Sequence, residues 1–424
     1  MNNSDGGKGS SPRPFSNKGQ FDSNWNLIFG EKEMYTVLDI ECTTSNKGNP
    51  FDQTNKMVMI GVLQDDELTI LTEDFDDLAV RGKLLVGHNI KFDLHWIRRC
   101  GVSIKDIKVW DTQLAEFILT GQEMRFPSLD GCLEKYGFPA KLDVVKTEYW
   151  NKGIDTDAIP TDILTEYLER DLKGTEEVYL AQKKLFETTH KHLLPLFKLH
   201  CKDLLVLEEM EFNGIRFNEE KARARAAEIL EQQQIIKAEL DFGVGSIPYS
   251  LSSDTDISAI IYGGTILKES RIPIGEYKTG SKIGQTRYKV IYNSYDCVGM
   301  VKPLKNTESH EKVSQKEMVF VEKGILTKPR KYWKVDEKTL KKVKAKKRAR
   351  QFITLFQEYN KLEKLRGTYL LGWSDFIHKL NLKKDTLHPQ LNQCVAVTGR
   401  LSSSQPNGQN ADSSTKRYCE SRYL

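Results

Sequence analysis

Between Tyr35 and Trp110 the apolar residues fall in short runs, either alternating or unbroken: Tyr35–Glu41, Met57–Leu63, Glu67–Leu71, Leu84–Gly87 and Ile107–Trp110. Runs of this length predict strands. Three strands in succession, then strands alternating with helical stretches, predict an α/β domain built on a mixed sheet flanked by helices. From Pro160 to Phe186 the period lengthens. Ile163, Leu164, Tyr167, Leu168, Leu172, Val178 and Tyr179 recur at three- and four-residue spacing, which predicts one helix. Beyond residue 190 the chain is helical and charged. Asn218 is placed to cap a helix over Glu219–Leu240, and Asp336 to cap a longer helical stretch reaching about Trp373. Residues 265–330, rich in Gly, Lys, Thr and Tyr with weak alternation, predict a small β-containing insertion. Residues 1–20 hold almost nothing apolar and predict a disordered tail. The expected organisation is a tail over 1–30, a first domain over 31–190, a helical region over 191–387 and a final segment over 388–424.

Composition changes this picture little. The 424 residues are 39% hydrophobic and 29% charged with a net charge of +4, too mild to name a partner. The average hides a basic stretch, Lys323–Arg350, containing KKVKAKKRAR at 341–350. It reads either as a solvated helix face or as a surface for phosphates. The seven cysteines are scattered and form no C-x-x-C pair, so neither a disulfide framework nor a zinc site is suggested, and a reducing cytoplasm fits. No apolar stretch approaches the ~18 residues of a membrane span, so no membrane partner is expected.

The chemistry lies in carboxylates. A strand's period of two puts Asp39 and Glu41 on one face at the end of the first strand. In Val86–Asp93 a strand runs into a helix, with Asn89 and Asp93 four residues apart. Asp171 sits on the apolar stripe of its helix, four residues after Tyr167. A buried carboxylate needs a cation or a hydrogen-bonding partner, and a salt bridge to Arg170 or Lys173 is the structural alternative to a metal. Four carboxylates converging on one point repel unless hard divalent cations neutralise them, which points to two Mg²⁺ or Mn²⁺ ions.

D-I-E at 39–41, H-N-x-x-x-D at 88–93, W-D-T at 110–112 and Y-x-x-x-D at 167–171 together resemble the proofreading exonuclease of family A DNA polymerases. The resemblance covers about residues 35–186. It implies a ribonuclease H-like mixed sheet, a 3′→5′ exonuclease acting on single-stranded DNA 3′ ends, metal ligands Asp39, Glu41, Asp93 and Asp171, and a water-orienting Tyr167 acting with Glu41. Asn89 is carried over as a DNA contact. A related subclass places His five residues before the last Asp, where this chain has Glu166.

Met210–Ile215 (M-E-F-N-G-I), Ser258–Gly264 and Lys364–Tyr369 resemble that family's thumb, and Val397–Asn410 its T-G-R-L-S-S motif at the start of the palm. The resemblance implies that Lys364, Thr368, Arg400, Asn407, Gln409 and Asn410 meet a primer-template duplex. Gly408, Ala411 and Asp412 depart from the family pattern. The palm's catalytic aspartates and the fingers helix do not follow, so the expectation is a divided bacteriophage polymerase whose synthesis needs a second polypeptide. On that view the strand-like segment Lys416–Leu424 lacks a sheet to join. The rival readings are a stand-alone tyrosine-type exonuclease acting on RNA or DNA, and an inactive DNA-binding clamp or scaffold.

Overall fold

The computed structural model describes residues 34–75, 80, 83–139, 144–308, 311–383, 385–411 and 413–420; the expected N-terminal tail lies outside them. By contacts the chain divides into one unit of Met1–Phe217 with Asp375–Leu424 and another of Asn218–Ser374. Both are built of helices and strands, so the chain is a mixed α/β protein. Among the described residues no helix is long and apolar enough to cross a membrane.

In the first unit every expected strand of the main sheet forms: β1 (Tyr35–Cys42), β2 (Met57–Gln64), β3 (Glu67–Leu71), β4 (Leu84–Gly87) and β5 (Lys108–Asp111). They make a five-stranded sheet of order β3-β2-β1-β4-β5. β2 runs antiparallel to β1 and β3, while β4 runs parallel to β1 and β5. The parallel pairs need crossovers, which α1 (Ile90–Arg99) supplies between β4 and β5. There follow α2 (Thr112–Leu119), α3 (Leu129–Tyr136), the short α4 (Val144–Glu148), α5 (Thr161–Glu187) and α6 (Leu194–Asn213).

Of the stripe read from its sequence α5 buries Leu164, Leu168, Leu172, Val178 and Tyr179, with Ile163 and Tyr167 half-buried, and it also buries Phe186. It comes close to the sheet because β2 offers a glycine there. A Cβ on Gly61 would lie 2.5 Å from Leu172 Cδ1 and 2.9 Å from Leu168 Cγ. Trp110 anchors the far end of this layer, its ring 5.0 Å from Tyr179, 5.7 Å from Phe186 and 4.6 Å from Phe197 in edge-on arrangements.

The same unit recruits residues from far along the chain. β6 (Ile215–Phe217) takes β9 (Thr386–Leu387) on one side and β12 (Cys419–Glu420) on the other, both antiparallel. β10 (Gln390–Asn392) pairs with β11 (Ser402–Ser404), and α13 (Ser413–Lys416) precedes β12. The expectation that Lys416–Leu424 lacks a sheet is therefore corrected for Cys419 and Glu420: β6 supplies their partner. Gly214 makes this possible, since its φ of 65° suits glycine and a Cβ there would stand 2.7 Å from the Leu387 carbonyl oxygen.

In the second unit Asn218 caps α7 (Glu219–Val244) as expected, its side chain accepting from the Lys221 N–H at 3.0 Å. α8 (Asp254–Tyr262) leads into a long hairpin of β7 (Gly264–Glu276) and β8 (Thr286–Cys297), followed by α9 (Glu311–Glu322). Asp336 also caps as expected, accepting from the Thr339 N–H at 2.9 Å, but the helical stretch that follows is broken into separate helices. α10 (Glu337–Lys342) ends at Val343, whose ψ of 128° leaves the helical region, and α11 (Lys347–Glu363) starts after Lys346. The break turns Val343 into the core with Leu340 and Phe352, and it separates Lys341 and Lys342 from Lys346 and Lys347, which would crowd adjacent turns of a continuous helix. A π-helical turn over Lys364–Leu371 precedes α12 (Gly372–Lys379). Gln233 of α7 is buried here with both ends satisfied, donating to Glu363 at 2.8 Å and accepting from Arg366 at 2.8 Å.

Candidate metal centre

β1 is central in its sheet, and its C-terminal end carries Asp39 and Glu41. Asp39 stands opposite Gly61 in the register and Glu41 opposite Met59, and the register slips between Glu41 and Cys42. The close approach of α5 over Gly61 brings Asp171 to the same place. Carboxylate oxygens of Asp39, Glu41 and Asp171 all lie within 4.8 Å of one another; Glu41 and Asp171 are buried and Asp39 half-buried. Asp93, in the first turn of α1, is also buried. It is not one of those three, but it feels two of them: burial first, then the charges of Asp39, Asp111 and Glu41, push its carboxyl well above the usual range against a backbone hydrogen bond.

Such a set of hard oxygen donors, buried and mutually repelling, fits a divalent cation. Arg170 pairs with Glu166, and Lys173 with Glu169 at 2.6 Å, each one turn back along the exposed side of α5. Tyr167 lies one turn before Asp171, half-buried, with its ring edge-on to Trp150 at 5.9 Å. Together Tyr167 and Asp171 line a cavity of about 130 Å³ with Val144, Val145, Ile163, Glu166 and Arg170.

Asn89 caps α1 in a left-handed conformation, φ 61°, with an exposed side chain. Its N–H donates to Asp111 Oδ1 at 3.1 Å. Asp111, which the sequence shows only as the centre of W-D-T, is buried and organises the neighbourhood, also accepting from the N–H groups of Gln113 at 2.9 Å and Leu114 at 3.1 Å. The signal was present: Asp before an apolar helical run is an N-cap pattern.

Burial pushes the Asp111 carboxyl up to about 6, against the Leu114, Asn89 and Gln113 hydrogen bonds and the charge of Lys91. A carboxylate whose folded value lies above its unfolded one costs stability once ionised. The cost is absent below about pH 4 and complete above about pH 6. Asp111→Asn keeps the accepting oxygen and removes the charge. It should therefore gain about 2–3 kcal/mol at pH 8 relative to its own effect at pH 4. Thermal denaturation in EDTA across that range measures this, and a pH-independent effect would contradict it.

The expected DNA contacts fall in both units. Arg400, Asn407, Gln409 and Asn410 are exposed in the first, where the Asn410 N–H donates to Asn407 Oδ1 at 3.3 Å and the Gly408 N–H to Ser403 Oγ at 3.3 Å. Lys364 and Thr368 are exposed on the π-helical turn of the second.

The family model described as DNA polymerase family A matches residues 284–423. The chain is 24% identical over 339 residues to a DNA polymerase of Bacillus phage SP01, covering 76% of this chain and 33% of that one. It is 22% identical over 336 residues to DNA polymerase I of Chloroflexus aurantiacus, covering 76% and 28%. The chain is thus similar to family A DNA polymerases. A solved structure of the polymerase domain of Pol1 from M. smegmatis, in complex with a DNA primer-template and dNTP, has the same fold over 94% of this chain and 56% of its own, with a TM-score of 0.55 at 14% identity. The chain spans about a third or less of the curated proteins it matches.

Proposed function

We propose that the first unit is a two-metal 3′→5′ exonuclease that trims DNA 3′ ends in the manner of a proofreading domain. The observation that carries this reading is the meeting of Asp39, Glu41 and Asp171 within 4.8 Å beside the buried Asp93. The strand order β3-β2-β1-β4-β5, with only β2 antiparallel to its neighbours, supports a ribonuclease H-like sheet. Asp39, Glu41, Asp93 and Asp171 would hold two Mg²⁺ or Mn²⁺ ions, which when bound lower the pKa of a coordinated water and offset charge on the scissile phosphate. Tyr167, one turn before Asp171 on the same helix, would orient that water through its hydroxyl, and Glu41 on β1 would act with it. Asn89, at the exposed start of α1, and the cavity beside Tyr167 offer the 3′ end a place to lie.

The primer-template contacts of Lys364, Thr368, Arg400, Asn407, Gln409 and Asn410 belong to this reading too: side chains exposed on the surface and able to meet phosphates or base edges. The relatives compared lend no support to a second polypeptide.

The test is magnesium-dependent digestion of 3′-labelled oligonucleotides. Single-stranded or frayed ends should be shortened faster than paired ones, because a paired terminus must first lose stacking, about 1.4 kcal/mol per step. Faster attack on matched duplex, or on RNA alone, would replace this reading with that of another nuclease. Tyr167→Phe should cost less activity than Asp171→Ala, since it removes one hydrogen bond to water and no ligand; single-turnover rates compare them, and equal losses would contradict the assigned roles.

A further inference from the structure

The M-E-F-N-G-I segment has no part in the exonuclease chemistry, yet the structure gives its glutamate an unusual set of partners. On α1, Lys91, His95 and Arg98 share one face, and by the helical repeat Asp93 points away from it. That face meets acids on α6. Arg98 Nη1 donates to Glu208 Oε2 at 2.8 Å and to Glu209 Oε2 at 2.7 Å. The His95 ring nitrogens lie 3.1 Å from Glu208 Oε1 and 2.8 Å from Glu211 Oε2. Glu211 Oε1 accepts from Lys91 Nζ at 2.5 Å and also from the backbone N–H of Leu391, in β10, at 2.5 Å. Lys91 completes the ring by donating to the Leu391 carbonyl at 2.6 Å. The Glu211 carbonyl meets His388 Nδ1 at 2.8 Å, and the His388 ring stacks on Phe51 at 3.9 Å. The Glu211 and Lys91 side chains thus grip both backbone groups of one residue in β10. β10 in turn pairs with β11, inside the Val397–Asn410 segment.

We propose that Glu211 is a positioning residue shared by two DNA-facing parts of the chain. Through Lys91 and His95 it sets the pose of α1 and so of Asp93, and through Leu391 it anchors the strand on which Val397–Asn410 folds back. Among the described residues Glu208 and Glu209 bond to α1 without reaching β10, whereas Glu211 bonds to both and also holds Lys91, the residue of α1 that itself reaches Leu391. The Asp93 half of the inference rests on the reading of the carboxylates as a metal site.

The experiment uses the full chain and three variants: Glu211→Gln, which keeps shape but removes the charge that holds Lys91; Glu209→Gln, on the same helix but outside the joint; and Asp93→Asn. Mn²⁺ uptake is followed by titration calorimetry, and affinity for a primer-template duplex by fluorescence anisotropy in EDTA. Glu211→Gln should weaken Mn²⁺ binding several-fold, less than the roughly 10-fold or more that follows loss of a partner bonded directly to a ligand, and should also weaken duplex binding several-fold. Glu209→Gln should change neither, and Asp93→Asn only the first. A folded Glu211→Gln protein with either affinity unaltered overturns the inference. If the unaltered chain takes up no Mn²⁺, the exonuclease reading falls with it; uptake that Glu211→Gln leaves intact sinks this inference alone. Should Glu211→Gln fail to fold, Glu211→Asp, which draws the charge back by one methylene, is read by the same two affinities.

Discussion

Replacing Asp39 and Glu41 together with alanine should remove exonuclease activity while the chain still folds and still binds DNA in EDTA. Both side chains leave β1 at the same end, and together with Asp171 they form the group that spans 4.8 Å. Deleting a single preorganised electrostatic contact commonly costs about 10²–10³ in rate, so losing both ligands should cost at least on the order of 10³-fold. Folding should survive, because buried like charges that lack a cation oppose the fold, and neutral side chains relieve them. Single-turnover digestion of a single-stranded oligonucleotide over a magnesium series is the measurement. Activity retained at more than a few per cent would place the chemistry elsewhere and leave the carboxylates as relics of a binding scaffold.

The second large effect should come from a residue with no side chain at all. Gly61→Val puts a branched side chain where a Cβ alone would stand 2.5 Å from Leu172 and 2.9 Å from Leu168. Those two leucines are buried on α5, and the turns that hold them also hold Tyr167 and Asp171. Overpacking of this kind costs about 1–3 kcal/mol, a loss the domain can survive. The helix must lift from the sheet to make room, and a misplacement of about 1 Å can cost 10²-fold in rate. The expected phenotype is a folded protein with a modestly lowered melting temperature and an exonuclease rate down about 100-fold. A stable variant with full activity would show that α5 tolerates displacement and that the close packing at Gly61 does not set the site.

These two cases mark what could be read before the structure. β1 to β5 were legible because their apolar runs are short and uniform, and α5 because Leu164, Leu168 and Leu172 keep a strict helical spacing. Asp39, Glu41 and Asp171 were legible as a group only through motif order, since nothing local tells a strand-end carboxylate from a ligand. Gly61 carried no signal, because its role depends on a helix more than a hundred residues later. The break after Lys342 was hidden for another reason: Lys and Ala are good helix formers, and only burial of Val343 in the core of its unit overrides them. The joint at Glu211 was likewise out of reach, because the side chains of Glu211 and Lys91 meet backbone groups of Leu391 that leave no trace in composition.

The pairing of β6 with β9 and β12 has a consequence for how the molecule is made. The ribosome delivers Ile215 long before it delivers Leu387 and Glu420, and everything between Asn218 and Ser374 belongs to a different compact unit. The first unit therefore starts as an unfinished sheet edge at β6 and is closed by strands that arrive after its neighbour has been synthesised. Order of synthesis and order of completion are reversed: the part that begins first finishes last.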